Sequence, residues 1–252
     1  RSIVGEARAM SIPGLENWLV SPQGRYMLDW ECARIDSAVA DIFGYNAVQL
    51  GLPGIDLLAQ NRIPFRQKAG EHSGSHKVDV RCDLRLLPFS ANSIDLVILP
   101  HVLEFYDDPH QILREVERVL IPEGQIIISG FNPHSLWGLR RRLAVGTADF
   151  PWQGQYLSAP RIKDWLQLLG FEVERPHHGG YAPPCTSSKW LNRWKFIEPV
   201  GEKCWGFAGG IYLVRAIKRV HSMRLVMPRW KDRNQRAKAL SPIAQKESPH
   251  GQ

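Results

Sequence analysis

The sequence is poor in cysteine and has no long apolar run. Its four cysteines (Cys32, Cys82, Cys185 and Cys204) stand far apart without a CxxC pair, which predicts reduced thiols and argues against disulfides or cysteine-bound zinc. No stretch approaches the roughly 20 apolar residues of a membrane-spanning helix, and no secretory signal pattern opens the chain. P-loop, HExxH and GxSxG motifs are also missing. These absences predict a cytoplasmic protein without a membrane span.

The positive charge is concentrated at one end of the chain. The net charge is +7, and from Arg215 onward ten basic residues face two acidic ones. Residues 221–252 are therefore predicted to be a basic, disordered tail. The alternative is an electrostatic footprint for nucleic acid, although Trp230 is the only aromatic residue there on which a base could stack.

The rest of the chain divides into a helical lead-in and one α/β domain. Residues 1–44 carry apolar side chains at helical spacing, and Gly44 marks the end of that pattern. Residues 45–220 alternate strand-like and helix-like runs, which predicts a mainly parallel sheet, with an aromatic insertion near residues 176–207. We expect strands at 47–50, 63–68, 77–82, 93–99, 125–129, 171–174 and 210–216, and helices at 55–58, 109–120 and 161–169.

The middle of the chain carries the most specific pattern. Residues 83–97 read DLRLLPFSANSIDLV, residues 101–105 read HVLEF, and residues 114–124 read REVERVLIPEG. Over about residues 77–132 the chain resembles the methyltransferase-type-11 group of class I S-adenosylmethionine (SAM)-dependent methyltransferases. The resemblance implies a Rossmann-like, mainly parallel seven-stranded sheet flanked by helices, and SAM as the cofactor.

The resemblance also assigns cofactor-binding residues near two strand ends. Asp83 and the backbone of Leu84, after the third strand, would approach the adenine ring. Leu99, Pro100 and His101, at the end of the fourth strand, would line the methionine side.

The first loop departs from the family pattern of acidic-x-Gly-x-Gly-x-Gly. Gln49 stands where the family has an acid, Gly51 is in register, and Pro53 replaces the next glycine before Gly54. Gln49, Gly51 and Gly54 are nevertheless the predicted cofactor-binding residues of this loop, because glycine lets the backbone approach the cofactor closely. Glu71 is the candidate acid for the ribose hydroxyls.

SAM carries its own leaving group, so the protein has mainly to align the acceptor and exclude water. His101 is the predicted catalytic residue, acting as a base near neutral pH; the alternative is that it packs beside the cofactor or hydrogen-bonds the backbone. No metal site is predicted, because His72 and His76 lie in a loop where their spacing fixes no common face. His177 and His178 are expected in a turn.

Aromatic and basic side chains follow the fifth strand, where open α/β sheets bind ligands. They are Phe131, Trp137, Arg140, Arg141, Arg142, Phe150, Trp152 and Tyr156. This lining predicts a SAM-dependent methyltransferase that acts on a small aromatic or lipid-like acceptor. The alternatives are a non-catalytic methyltransferase-like binding or regulatory protein, and a nucleic-acid-directed enzyme that uses the basic tail.

Overall fold

The computed structural model describes residues 14–71, 78–143, 151–184, 188–194, 198, 201 and 205–219. Within them, eight strands form one sheet. The strands are β1 Asn46–Leu50, β2 Phe65–Gly70, β3 Val80–Arg81, β4 Ile94–Pro100, β5 Leu120–Phe131, β6 Phe171–Val173, β7 His177–Gly179 and β8 Ile211–Lys218. The helices are α1 Leu15–Val20, α2 Pro22–Val39, α3 Pro109–Val119, α4 Leu136–Leu143, α5 Ala159–Leu168 and α6 Ser188–Trp194.

The strand order is β3-β2-β1-β4-β5-β8-β6, and β1 to β5 pair in parallel. β8 runs antiparallel to β5. The predicted mainly parallel α/β sheet is therefore confirmed. All five parallel strands end at the same edge, which we call the carboxyl edge.

The sheet has eight strands rather than the expected seven because one strand is broken. β6 and β7 pair with the same neighbour, β8, in the same direction. Pro176 stands between them and lacks the N–H that would continue the ladder. The expected turn at His177 and His178 is consequently wrong, because these residues form β7.

Two helices begin as their sequences dictate. At α3, Asp108 accepts a hydrogen bond from the Gln111 N–H at 3.0 Å, with Pro109 at the first helical position. At α2, Ser21 accepts from the Gly24 N–H at 3.1 Å, and the helix ends at Val39, before Gly44. α3 therefore starts at an aspartate cap followed by proline, at the boundary expected for the helix at 109–120.

The helix expected at residues 55–58 is absent, and the segment forms turns instead. The Gln49 side chain bonds the carbonyl oxygen of Ile55, which a longer helix would pair, and the N–H of Leu57. A buried side chain thus replaces helical hydrogen bonding in this segment.

Both faces of the sheet are covered. α3 and α5 pack on one face, against apolar side chains such as Val97 and Ile126. α2 packs on the other face, with Ile35 and Val39 against Ile98. This two-sided burial explains the nearly continuous apolar run of β4.

Several sequence predictions lie outside the described residues. These are His72, His76, Phe150, Cys185, Cys204, parts of the aromatic insertion, and the basic tail at 221–252. Cys32 and Cys82 are free thiols, and burial raises the pKa of each to about 11. Among the helices that the structure describes, none combines the length and apolar character needed to cross a membrane.

Candidate active site at the carboxyl edge

Two neighbouring strands end in left-handed turns. After β1, Gly51 has φ +86° and Leu52 has φ +46°; after β4, His101 has φ +50°. β1 and β4 are adjacent in the sheet, so these turns face each other across the carboxyl edge. Left-handed backbone is uncommon for leucine and histidine, and such strain concentrates at functional sites.

Gln49 is fully buried, and its side chain is engaged within the first loop. Its amide nitrogen donates to the carbonyl oxygens of Gly51 at 3.1 Å, Leu52 at 2.9 Å and Ile55 at 2.9 Å. Its amide oxygen accepts from the Leu57 N–H at 3.0 Å. The glutamine therefore holds the loop in shape, and its predicted contact with the cofactor stays a prediction.

The two glycines predicted to bind the cofactor in this loop, Gly51 and Gly54, have different surroundings. A Cβ atom at Gly51 would lie 2.8 Å from the Val102 side chain, so the loops after β1 and β4 are in contact. Gly54 is exposed on the turn. A side chain at position 51 would therefore collide with Val102, whereas the surroundings of Gly54 leave room for a side chain.

Leu99 and Pro100 lie buried at the end of β4, and Leu84 is buried after β3. None of the three offers a polar side chain, so any cofactor contact they make is through the backbone or by packing.

Acidic groups gather at the ends of β2 and β3. The Asp83 carboxylate accepts from Arg85 Nε at 3.0 Å and Nη2 at 2.8 Å, and these hydrogen bonds lower the pKa of Asp83. Burial raises the pKa of Tyr106, and the charges of Glu71 and Asp83 raise it further. Glu71 and Asp83 are thus near enough to Tyr106 to raise its pKa, and we call these ends of β2 and β3 the acidic side of the carboxyl edge.

A second group of charges is buried at the ends of β4 and β5. His101 Nε2 lies 3.3 Å from Glu31 Oε2, and His101 Nδ1 lies 3.0 Å from Glu104 Oε2. The Ser129 hydroxyl donates to Glu31, and the Phe131 N–H donates to Glu104. We call these residues the buried charge network; it ties α2 to the strand ends.

The network fixes the protonation of His101. Burial by itself would lower the pKa of His101, but the charge of Glu31 and the hydrogen bonds with Glu104 and Glu31 raise it to about 10. Burial would raise the pKa of Glu31, yet His101 and Ser129 lower it overall, whereas burial dominates at Glu104 and raises its pKa. Glu31 and His101 thus form a buried ion pair.

A base at neutral pH needs an unprotonated nitrogen. Both ring nitrogens of His101 are occupied by carboxylates, and the ring is protonated at neutral pH. This geometry argues against a role as a base for His101, and its ring nitrogens face two carboxylates rather than the backbone that the alternative named.

Aromatic rings cover the network. Phe131 packs on His101 with centroids 4.4 Å apart, and Tyr156 stacks on Phe131 at 5.1 Å. The Arg141 guanidinium carbon lies 5.0 Å from the centroid of Tyr156. Within the described part of the chain, the Tyr156 hydroxyl and the Arg141 Nε have no hydrogen-bond partner, although both atoms are buried.

Sequence reasoning missed the two carboxylates of the network and the part played by Tyr106. A signal for Glu31 was present, because it stands at helical spacing between Met27 and Ile35 on the buried face of α2. A charged residue inside an apolar stripe indicates a buried partner. Glu104 had no such pattern around it.

Comparisons with known proteins agree with the fold. Residues 50–128 match a family model described as a methyltransferase domain. A SAM-dependent methyltransferase from Thermotoga maritima, described as a possible histamine N-methyltransferase, is similar with a TM-score of 0.59 and 19% identity over 81% of this chain and 94% of that chain.

The curated relatives match only part of this chain. The chain is 45% identical over 96 residues to the uncharacterised protein YafS of Escherichia coli, which is 38% of this chain and 40% of that protein. It is 38% identical over 61 residues to the malonyl-[acyl-carrier protein] O-methyltransferase of Halorhodospira halophila, which is 24% of this chain and 21% of that enzyme. The chain thus spans less than half the length of either relative.

The sheet order and the match at residues 50–128 agree with each other. Residues 50–128 match a methyltransferase domain, and the fold of the chain is similar to that of a solved SAM-dependent methyltransferase.

Proposed function

We propose that this protein transfers the methyl group of SAM to an acidic oxygen of a small aromatic molecule. The observation that supports cofactor binding most is the acidic side, where Glu71 and Asp83 follow the ends of β2 and β3 and their charges act on Tyr106. Adenosine presents ribose hydroxyls and an amino group, which are hydrogen-bond donors, and carboxylates accept such bonds. The residues present therefore fit the adenosine part of SAM.

The methionine side is built differently but is compatible with the cofactor. Gly51, in a left-handed turn, supplies backbone without a side chain next to the loop after β4. SAM, when bound, supplies an electrophilic methyl group on a sulfonium with its own leaving group. The protein then has to position an acceptor and keep water away.

The aromatic rings provide the apolar surroundings for an acceptor. Phe131, Trp137 and Tyr156 are each less than a tenth exposed, and Trp152 stacks on Trp137 with centroids 6.0 Å apart. A flat aromatic molecule is a ligand that aromatic surroundings of this kind favour. The buried charge network beneath them holds the ends of β4 and β5 in place.

The unpaired polar atoms indicate where the acceptor's oxygen would lie. The Tyr156 hydroxyl stays protonated, because burial and the charge of Glu104 raise its pKa. Arg141, whose guanidinium carbon lies 5.0 Å from the centroid of the Tyr156 ring, adds a second unpaired donor in its Nε–H. Two donors suit a negatively charged oxygen. Since His101 is protonated, an acceptor that ionises without a protein base, such as a carboxylate or an acidic phenol, is favoured.

The name of the Halorhodospira halophila relative, an O-methyltransferase, also supports an oxygen acceptor. A non-catalytic SAM-binding protein is the second candidate, and Pro53 at a glycine position of the family's loop favours it. SAM binding without turnover on any acid in the test below would support that candidate.

The test is methyl transfer from SAM labelled at the methyl group. The panel contains aromatic carboxylic acids, acidic phenols and the neutral alcohols of the same skeletons. We expect label in the acids, and Tyr156→Phe should lower kcat/KM roughly tenfold, because a lost hydrogen bond to a charged oxygen costs about 1.4 kcal/mol or more. Tyr45→Phe, at an exposed tyrosine, is the matched control. Equal labelling of the neutral alcohols would contradict the proposed acceptor.

A further inference from the structure

A cavity away from the acidic side is lined by the start of α5, by β7 and by Asn132, which follows β5. Its volume is about 980 Å³, which is within the size range of small-molecule sites. One wall is the start of α5 with Lys163, another is the stretch from Arg175 to His178, and Phe207 closes a third side. We call this cavity the basic cleft.

The charge of the basic cleft has one sign. Lys163, Arg175 and His177 line it, and no carboxylate is among the described residues that do. The carboxylates nearest in sequence to Arg175 are engaged elsewhere: Glu174 pairs with Arg215 at 3.5 Å, and Glu172 pairs with Arg219 at 2.6 Å.

The pKa of the neighbouring His178 reflects the positive charge of the cleft. Burial lowers the pKa of His178, and the charges of His177 and Arg175 lower it further. The cleft therefore holds cations that no described carboxylate offsets, and an anion placed there would be attracted.

Apolar side chains form much of the remaining wall, and part of it is held in place. Phe207, Pro160 and Pro176 contribute carbon surface. The buried Asn132 amide donates to the carbonyl oxygens of Phe207 at 2.7 Å and Gly209 at 2.9 Å, so the loop that carries Phe207 is fixed to the end of β5. A preformed apolar cavity with cations at its wall matches a ligand that has an apolar body and an anionic end.

We propose that the basic cleft binds an amphipathic anion, a small molecule whose apolar body ends in a carboxylate or a phosphate. The body lies against Phe207 and the two prolines, and the anionic group lies against Lys163 and Arg175. This site is separate from the acidic side, and it does not depend on methyl transfer.

The experiment is calorimetric titration of the whole chain with decanoate, decyl phosphate, decanol and inorganic phosphate. Decanoate or decyl phosphate should bind with a Kd at least tenfold lower than either decanol or inorganic phosphate, because each of these presents only one of the two features. The tighter of the two anions identifies the head group that the cleft prefers.

Two charge-reversal variants make the test specific to the cleft. Lys163→Glu combined with Arg175→Glu should weaken binding of the preferred anion at least tenfold. Arg25→Glu combined with Arg62→Glu changes the net charge equally at exposed positions outside the cleft and should leave the Kd unchanged. Thermal melting monitored by circular dichroism verifies that both variants fold. Equal Kd values for the two variants, or decanol binding as tightly as decanoate, would overturn the proposal.

Discussion

The carboxyl edge of the sheet has an exposed side at β2 and β3, which is the acidic side, and a buried side at β1, β4 and β5, which holds the buried charge network. On the exposed side, Asp83 and Arg85 form an ion pair with side chains 36% and 48% exposed. On the buried side, Glu31 and His101 form one with side chains 3% and 6% exposed. Exposed pairs contribute little stability and exchange partners readily, whereas a buried charge depends on its partner. Substitutions on the exposed side should therefore change ligand affinity, and those on the buried side should change stability.

The largest effect is expected from Glu31→Gln, which breaks the buried ion pair. Removing one member leaves the other charge buried, which costs about 3–5 kcal/mol in comparable cases. We expect the free energy of unfolding in urea to fall by about 3 kcal/mol. Asp29→Asn, at an exposed position of the same helix, should change it by less than about 0.5 kcal/mol. Similar free energies of unfolding for the two variants would show that the buried ion pair does not stabilise the protein.

The pH dependence of stability should carry the signature of His101. Its pKa in the folded protein, about 10, is above the ordinary histidine value of 6.5. Its contribution to stability is therefore complete below pH 6.5 and is lost as the pH rises towards 10, with a slope of at most about 1.4 kcal/mol per pH unit. Urea unfolding of wild type and His101→Leu between pH 6.5 and 10 measures this slope, which the variant should lack. A slope of the same size in His101→Leu would mean that another group titrates.

Gln49→Glu tests whether the first loop is a degraded version of the family's loop or a different structure. A carboxylate at this position would face three carbonyl oxygens that the glutamine amide now satisfies. We expect a loss of about 2 kcal/mol in the free energy of unfolding, in the range reported for buried polar groups left unsatisfied. Unchanged or increased stability would show that the loop tolerates the family's acid, contrary to the geometry described above.

The smallest effect on stability is expected on the exposed side. Arg85→Ala removes the partner of Asp83 but should lower the free energy of unfolding by less than about 1 kcal/mol, because the pair is half exposed. The same urea measurement gives this value. A loss comparable to that of Glu31→Gln would show that the exposed pair supports the fold.

Much of the fold was predictable because its elements follow local rules. The buried run of β4 and the Asp108–Pro109 start of α3 each carry a signal that burial and capping impose on the sequence. The helix predicted at residues 55–58 is absent because the Gln49 side chain bonds the backbone of this segment. Such a contact is visible only in three dimensions.

The site was predictable in position but not in chemistry. The strand ends that carry Asp83 and His101 were located from the sequence. The protonation of His101 could not be, because it depends on Glu31, which is 70 residues away in sequence and reaches the strand ends only through the packing of α2. The unpaired atoms of Tyr156 and Arg141 likewise depend on tertiary packing.

The most direct test of the account is calorimetric titration of the protein with SAM, using wild type, Asp83→Asn and Asp107→Asn. If the acidic side holds the adenosine part of the cofactor, wild type binds SAM, Asp83→Asn binds at least tenfold more weakly, and the exposed Asp107→Asn resembles wild type. No binding by wild type at about 1 mM SAM, or equal affinity of Asp83→Asn and wild type, would contradict it.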